Sequence, residues 1–266
     1  VAPAAFAVGE AKGASGRDVL LAFIMGVEAE CRVALLMGPS HYANGWHSTA
    51  TCGTFGAAAS CAKLLDLDKG QLLHAIGLAG TQAAGLKSVF GTMAKPLHPG
   101  KSAQHGILAA RLARSGFTSD TDILGSDQGF AATQSTSVNP AAMIKDPNRL
   151  LIVDALFKYH AACYLTHDAI EAAASLRREY RIKPEQIARV LVRVRNGHLK
   201  VCNIQKPRTG LECKFSLRMT TALALSGEDT FRNELFANET AMRPDLVELC
   251  EKVQVEPTAG NRGSIV

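Results

Sequence analysis

The strongest candidate for proton-transfer chemistry in this sequence is His47, in the segment GWHSTATCGTFGAAAS at residues 45–60. An imidazole titrates near neutral pH and can act as a general acid or base. Neighbouring hydroxyl groups on Ser48 and Thr49 can orient the ring, and Trp46 can form a pocket wall. A histidine at this position is also typical of a helix entrance with a purely structural role. Both interpretations remain open at this point.

Cationic side chains between residues 77 and 106 are the candidates for holding an anionic group. Six glycines interrupt the helical periodicity of this segment, which predicts a long functional loop. The segment contains Lys95, His98 and Lys101. Lys95 lies among apolar residues and glycines, although a single lysine is also compatible with a surface position. A helix that begins after Gly100 would direct N–H groups toward an anion.

A metal site is the alternative suggested by His160, Cys163 and His167, whose i, i+3 and i+7 spacing would place them on one face of a helix. Ala161 and Ala162 make the surroundings apolar, and no carboxylate partner is evident beside His160. We therefore expect no metal here. The sequence also lacks the spaced cysteines of an iron–sulfur hydratase and the motifs of dinucleotide, P-loop, serine-hydrolase and zinc-protease sites.

The composition predicts a large, closely packed helical core. Of the 266 residues, 47% are hydrophobic and only 6% aromatic, a balance that favours helices rich in Ala and Gly over a β-sandwich. The net charge of +5 is scattered along the chain. It is too weak and too dispersed for nucleic-acid binding, and it suits either an anionic small-molecule substrate or an ordinary surface.

The cysteines and the hydropathy predict a protein of the cytoplasm. Seven cysteines occur without a C-x-x-C pair, which indicates unpaired thiols in a reducing compartment. No apolar run approaches the roughly 20 residues needed to span a bilayer, and no signal peptide is visible. Neither a membrane nor a nucleic acid is an expected partner.

Periodicity predicts a mainly α fold. Ser15 and Asp68 are expected to cap helices, and Gly38-Pro39 is expected to end the first long helix before a polar loop through Tyr42. The predicted helices are 15–37, 55–65, 68–79, 101–115, 166–178, 215–225 and 243–252, with one further short helix between 120 and 147. Alternating residues predict strands at 188–194 and 253–256.

These elements divide into a large all-helical domain at 1–156 and a smaller α/β domain at 157–266. The chain starts within an apolar helical segment, at Val1 to Ala7, and stops at Arg262 to Val266, where a strand is expected to begin. We therefore expect both domains to be incomplete and the chain to be the middle part of a longer polypeptide.

Four segments together resemble the MmgE/PrpD family, which includes 2-methylcitrate dehydratase and cis-aconitate decarboxylase. They are GWHSTATCGTFGAAASCAKLLDLD, AIGLAGTQAAGL, GTMAKPLHPGKSAQHGILAARLARSGFT and, more loosely, LFKYHAACYLTHDAIEAA. The resemblance covers nearly the whole chain, and the GTMAKPLHPGKSAQHG block is its most specific part.

The resemblance implies a helical domain and an α/β lid with the site between them, a homodimer and no cofactor. His47, Lys95 and Lys158 fall on matching motif positions and are implied as catalytic residues. The residues expected to bind substrate are Trp46, Ser48, His98, Lys101 and Cys163. The Asp, Thr and His that the family supplies from its N-terminal part have no counterpart in this sequence.

Two departures from the family's pattern bear on the reaction. The decarboxylase branch has a His where this chain has Cys163, and a Tyr where it has Met219. We therefore expect a dehydratase, a carbon–oxygen lyase of propionate metabolism that acts on a small di- or tricarboxylate such as 2-methylcitrate. The alternatives are an isomerase, epimerase or decarboxylase of the same family, and a truncated homologue that only binds a ligand or dimerises.

Overall fold

The computed structural model of the chain describes residues 1–258 and 263–265, and it divides into two compact units. Unit 1 comprises residues 1–88 and 96–155, and unit 2 comprises residues 89–95 together with the chain from residue 156 onward. The fold is mainly α with one small sheet, which confirms the predicted fold class. No helix in the described ranges is both long enough and apolar enough to cross a membrane.

Unit 1 is helical throughout. Its helices are α1 (Ala2–Lys12), α2 (Gly16–Ala43), α3 (Ser48–Leu64), α4 (Lys69–Gly80), α5 (Ala94–Arg114), α6 (Phe130–Gln134) and α7 (Pro140–Ile144), and the first two residues of α5 belong to unit 2. Both predicted caps are confirmed. Ser15 Oγ accepts a hydrogen bond from Asp18 N at 3.2 Å, and Asp68 and Gln71 form a reciprocal capping box.

Helix α3 lies at the centre of unit 1 because its small residues allow neighbouring backbones to approach closely. A Cβ on Gly26 of α2 would lie 2.6 Å from the carbonyl oxygen of Gly56. On another side, a Cβ on Gly106 of α5 would lie 2.4 Å from Ala57 Cβ. This packing fixes the middle of α3, and His47 immediately precedes the first turn of the same helix.

Two helix boundaries at the start of unit 1 differ from the sequence prediction. Helix α2 continues beyond Gly38, where φ of 60° and ψ of −170° break the helical path, and resumes at Pro39. Proline is favoured at the start of a helical stretch because its missing N–H would have no acceptor there. Tyr42 is therefore helical and the predicted polar loop is wrong. Helix α3 likewise begins at Ser48 rather than at residue 55.

Helix α5 begins at Ala94, so the prediction of a loop around Lys95 and His98 is wrong. Pro96 lies in the first turn, where proline is tolerated, and the helix continues through Pro99 although that residue removes the bond that an N–H would give to the Lys95 carbonyl. The predicted helix start after Gly100, and with it an anion site at those N–H groups, does not exist.

Unit 2 combines helices with a three-stranded sheet. Its elements are α8 (His167–Tyr180), β1 (Val190–Val194), α9 (Asn196–Leu199), α10 (Gly210–Cys213), α11 (Leu217–Ser226), α12 (Asn238–Ala241), α13 (Pro244–Lys252), β2 (Val253–Pro257) and β3 (Ser264–Ile265). The order is β2-β1-β3, with β1 parallel to β2 and antiparallel to β3. Both predicted strands are confirmed. A strand was also predicted to begin within the last five residues, and β3 is found there at Ser264–Ile265. Arg262 and Val266 lie outside the described residues.

The segment 89–95 belongs to unit 2 because its apolar residues pack there. The ring centroid of Phe90 lies 5.3 Å from that of Phe215. Gly91 adopts a φ of 87°, and a Cβ at this position would lie 2.8 Å from Ile204 Cδ1. These contacts bring Lys95, at the end of the segment, into the same unit as Lys158.

Candidate active site

A pair of histidines in unit 1 is the clearest proton-transfer group. His47 is buried and forms the N-cap of α3, and its backbone N–H donates to the Gly85 carbonyl at 3.0 Å. Its Nδ1 lies 2.7 Å from Nδ1 of His98 on α5. Only one of the two nitrogens can carry a proton in such a contact, because each must act as donor or acceptor to the other.

The two tautomers of this pair have different chemical capacities. When His47 Nδ1 carries the proton, His98 is the acceptor and the lone pair of His47 is on Nε2, where it can take a proton from another molecule. The resulting imidazolium of His47 keeps its bond to His98, which then becomes a charge-assisted bond. When His98 Nδ1 carries the proton, His47 presents an Nε2–H and can act as an acid.

Other predicted residues of unit 1 have different surroundings. Trp46 stacks on His41, with ring centroids 6.0 Å apart and planes at 9°. Ser48 lines a cavity of about 290 Å³ whose wall also includes Glu30, and burial raises the pKa of this carboxyl group. Lys101 is exposed and donates to Gln104 Oε1 at 2.7 Å. The structure thus brings His98 to His47 and gives Trp46 and Lys101 other partners.

A cluster of three lysines in unit 2 is the candidate anion site. Burial lowers the pKa of Lys95, the ammonium group of Lys158 lowers it further, and Cys163 partly offsets both effects. Burial also lowers the pKa of Lys214, and Lys158 and Lys95 act in the same direction. Lys95 and Lys214 are partly buried and Lys158 is exposed, and three ammonium groups this close together form a natural binding site for an anion.

No carboxylate neutralises this cluster within the described residues. The ion pairs found in residues 1–258 and 263–265 involve other cations, and none of them includes Lys95, Lys158 or Lys214. Three ammonium groups held together with no carboxylate beside them cost folding free energy, and a single thiolate at Cys163 offsets only part of that cost. A bound anion would remove that cost.

Cys163 contributes a thiolate to the lysine cluster. A hydrogen bond from Cys202 lowers the pKa of Cys163 to about 6 against the opposing effect of burial. The Leu165 backbone N–H, Lys158 and Lys95 lower it further. Cys202 is fully buried, and the neighbouring Cys163 thiolate raises its pKa, so it stays protonated and acts as the donor. Cys163 is therefore a charged, partly accessible group at neutral pH.

The predicted common helix for His160, Cys163 and His167 is wrong, because α8 begins only at His167. The apparent lack of a carboxylate beside His160 is also corrected: Glu171 Oε1 lies 2.9 Å from its Nε2, and Thr230 Oγ1 lies 2.8 Å from its Nδ1. These bonds occupy both nitrogens of the buried ring. In the described part of the chain, no group of three or more His, Cys, Asp or Glu side chains could hold a metal ion.

Lys214 is the candidate residue that the sequence analysis missed. It follows α10, between the buried residues Cys213 and Phe215. A lysine flanked by apolar residues is the same signal that singled out Lys95, so this feature was available in the sequence. Its proximity to Lys95, more than 100 positions earlier, was not.

Comparisons with known proteins show the family to which the chain belongs. The model of the MmgE/PrpD N-terminal domain matches residues 1–142, and that of the MmgE/PrpD C-terminal domain matches residues 160–262. The chain is 32% identical over 253 residues to cis-aconitate decarboxylase of Homo sapiens, covering 91% of this chain and 51% of that protein. For the Aspergillus terreus cis-aconitate decarboxylase the identity is 28% over 280 residues, covering 95% and 56%. The chain thus spans about half the length of these curated relatives.

Proposed function

Since the chain belongs to the MmgE/PrpD family, we propose that it acts in a cofactor-independent lyase whose substrate is a small di- or tricarboxylate. The observation that carries this proposal is the lysine cluster of unit 2. Lys158 lies close enough to Lys95 and Lys214 to lower the pKa of both, and Lys95 also lowers the pKa of Lys214. None of the three has a carboxylate partner within the described residues.

Carboxylate binding by lysines fits the electrostatic demand of the reaction. Moving a proton at a carbon next to a carboxylate builds further negative charge on a group that is already anionic. Preorganised cations stabilise that charge most strongly where water is excluded. Lys95 is half-buried and has no carboxylate partner within the described residues, so it meets this requirement.

We assign the proton transfer to the histidine pair of unit 1. In our proposal His47 Nε2 takes or gives the proton, and His98 holds the opposite side of the ring through the 2.7 Å contact. His47 is then the catalytic residue and His98 a positioning residue. This changes the predicted role of His98, which the sequence analysis expected to bind the substrate.

Two bond cleavages are compatible with these groups. In dehydration, a C–H proton passes to a base and the hydroxyl group leaves as water after protonation, giving an alkene. In decarboxylation, the C–C bond breaks, carbon dioxide leaves, and the carbon takes a proton from an acid. Cys163 and Met219 favour dehydration, because both positions depart from the decarboxylase pattern and Met219 is buried in α11. The names of the relatives favour decarboxylation of cis-aconitate.

The test is to incubate the purified full-length protein separately with 2-methylcitrate and with cis-aconitate and to follow the products by NMR. Loss of water from 2-methylcitrate supports a dehydratase, and release of carbon dioxide from cis-aconitate supports a decarboxylase. An isomerised acid of unchanged composition would indicate an isomerase. Binding of these acids without any product would favour a non-catalytic homologue, and neither binding nor turnover would refute the proposal. Homodimerisation and a cytoplasmic location stay predictions.

A further inference from the structure

Lys214 is held in place by neutral groups, so its positive charge remains available to a ligand. Its Nζ donates to Asn233 Oδ1 and lies 5.2 Å from the ring centroid of Phe236. The backbone is fixed as well, since the Lys214 carbonyl accepts a hydrogen bond from Cys163 N at 2.9 Å. An amide oxygen and an aromatic face orient an ammonium group without cancelling its charge.

The backbone bond to Cys163 also explains why Lys214 lies at the lysine cluster. Cys163 is the residue whose charge acts on Lys95, and Lys158 is five positions before it in the sequence. The backbone of Lys214 is therefore bonded to a residue that lies close enough to the other two lysines for their charges to lower its pKa. Three separate segments of unit 2, around residues 95, 158–163 and 214, thus each deliver one ammonium group.

We propose that Lys214 is a third carboxylate-binding residue and that it makes the site prefer tricarboxylates over dicarboxylates. Lys95 and Lys158 can pair with two carboxylates, as the proposed function requires. The third ammonium group gains a partner only when the ligand carries a third carboxylate. This inference rests on the proposed function and names its substrate class.

The test compares two unreactive ligands, propane-1,2,3-tricarboxylate and glutarate, which differ only in the central carboxylate. Their affinities for the full-length protein are measured by titration calorimetry at low ionic strength, because salt screens such contacts. Lys214→Met should weaken binding of the tricarboxylate about tenfold or more and leave glutarate within about twofold, since a charge-assisted bond is lost only for the first ligand. Lys214→Arg, which keeps the charge, should recover most of the loss.

Two comparison variants make the outcomes distinguishable. Lys206→Met removes an exposed lysine of the same unit, paired with Glu251, and should change neither affinity. Lys95→Met should weaken the binding of both ligands. If Lys95→Met has this effect while Lys214→Met and Lys214→Arg change neither ligand, the inference about Lys214 is wrong and the proposed function stands. If Lys214→Met weakens the binding of both ligands equally, Lys214 does not distinguish tricarboxylates from dicarboxylates, and the inference is wrong. If the wild-type protein binds neither ligand, both proposals are wrong.

Discussion

Replacement of His98 by alanine tests the assignment of the proton to His47. The 2.7 Å contact between the Nδ1 atoms would be lost, and an imidazolium on His47 would lose its charge-assisted hydrogen bond. Such bonds contribute about 1.5–3 kcal/mol. Because each 1.36 kcal/mol corresponds to a factor of ten, kcat of His98→Ala should fall about 10- to 150-fold. His47→Ala should cost more, about 10²- to 10⁴-fold, because the general acid–base group itself is removed.

The double variant separates this mechanism from two independent effects. If His98 acts only through His47, the double variant should be no slower than His47→Ala alone. His98→Asn places an amide oxygen where it can accept from His47 Nδ1, and it should recover most of the rate. His105→Ala, on the same helix, is the matched control, because that ring contacts the Gln82 carbonyl. The reasoning would be refuted if the fold-loss in kcat of the double variant equals the product of the two single losses. It would also be refuted if kcat of His98→Ala is unchanged.

Three further predictions concern stability and reactivity. Asp68→Ala should lower the free energy of unfolding by about 1 kcal/mol in urea titrations, because the capping box with Gln71 is lost, and an unchanged midpoint would contradict the cap. Gly85→Ala would place a Cβ 2.3 Å from Ala50 Cβ, so we expect a loss of about 1–3 kcal/mol and a shifted His47; thermal unfolding equal to that of wild type would exclude this crowding. Alkylation of Cys163 by iodoacetamide should accelerate as the pH rises through about 6, because the thiolate forms above its pKa, and Cys163→Ser should remove that phase. A midpoint near the ordinary cysteine pKa would contradict the stabilised thiolate.

Local signals were sufficient for much of the fold. The caps at Ser15 and Asp68, the alanine-rich buried helix and both strands follow from short-range patterns, and the structure confirms them. The start of α5 was mispredicted because two prolines and a glycine between 94 and 101 suggest a loop. Pro96 in the first turn loses no helical hydrogen bond, and the helix continues through Pro99 in spite of its missing N–H, so the local preference is overridden.

The candidate site was only partly accessible from the sequence. His47, Lys95 and Lys158 follow from residue types and the family resemblance, and their catalytic roles stay predictions. The contact between His47 and His98 joins positions 51 residues apart, and the position of Lys214 beside Cys163 joins positions equally far apart in the chain. No periodicity encodes such distances, because they depend on how separate elements pack. The same holds for Glu171, which occupies a nitrogen of His160.

The most direct test of the central claim is a comparison of initial-rate kinetics for wild type and Lys95→Met, with Lys206→Met as control. The claim is that the lysine cluster of unit 2 holds the carboxylates of the substrate. It predicts that Lys95→Met raises KM for the tricarboxylate about tenfold or more, that kcat/KM falls at least as much, and that Lys206→Met matches wild type. Equal KM and kcat in all three proteins, with the fold intact by circular dichroism, would contradict the account.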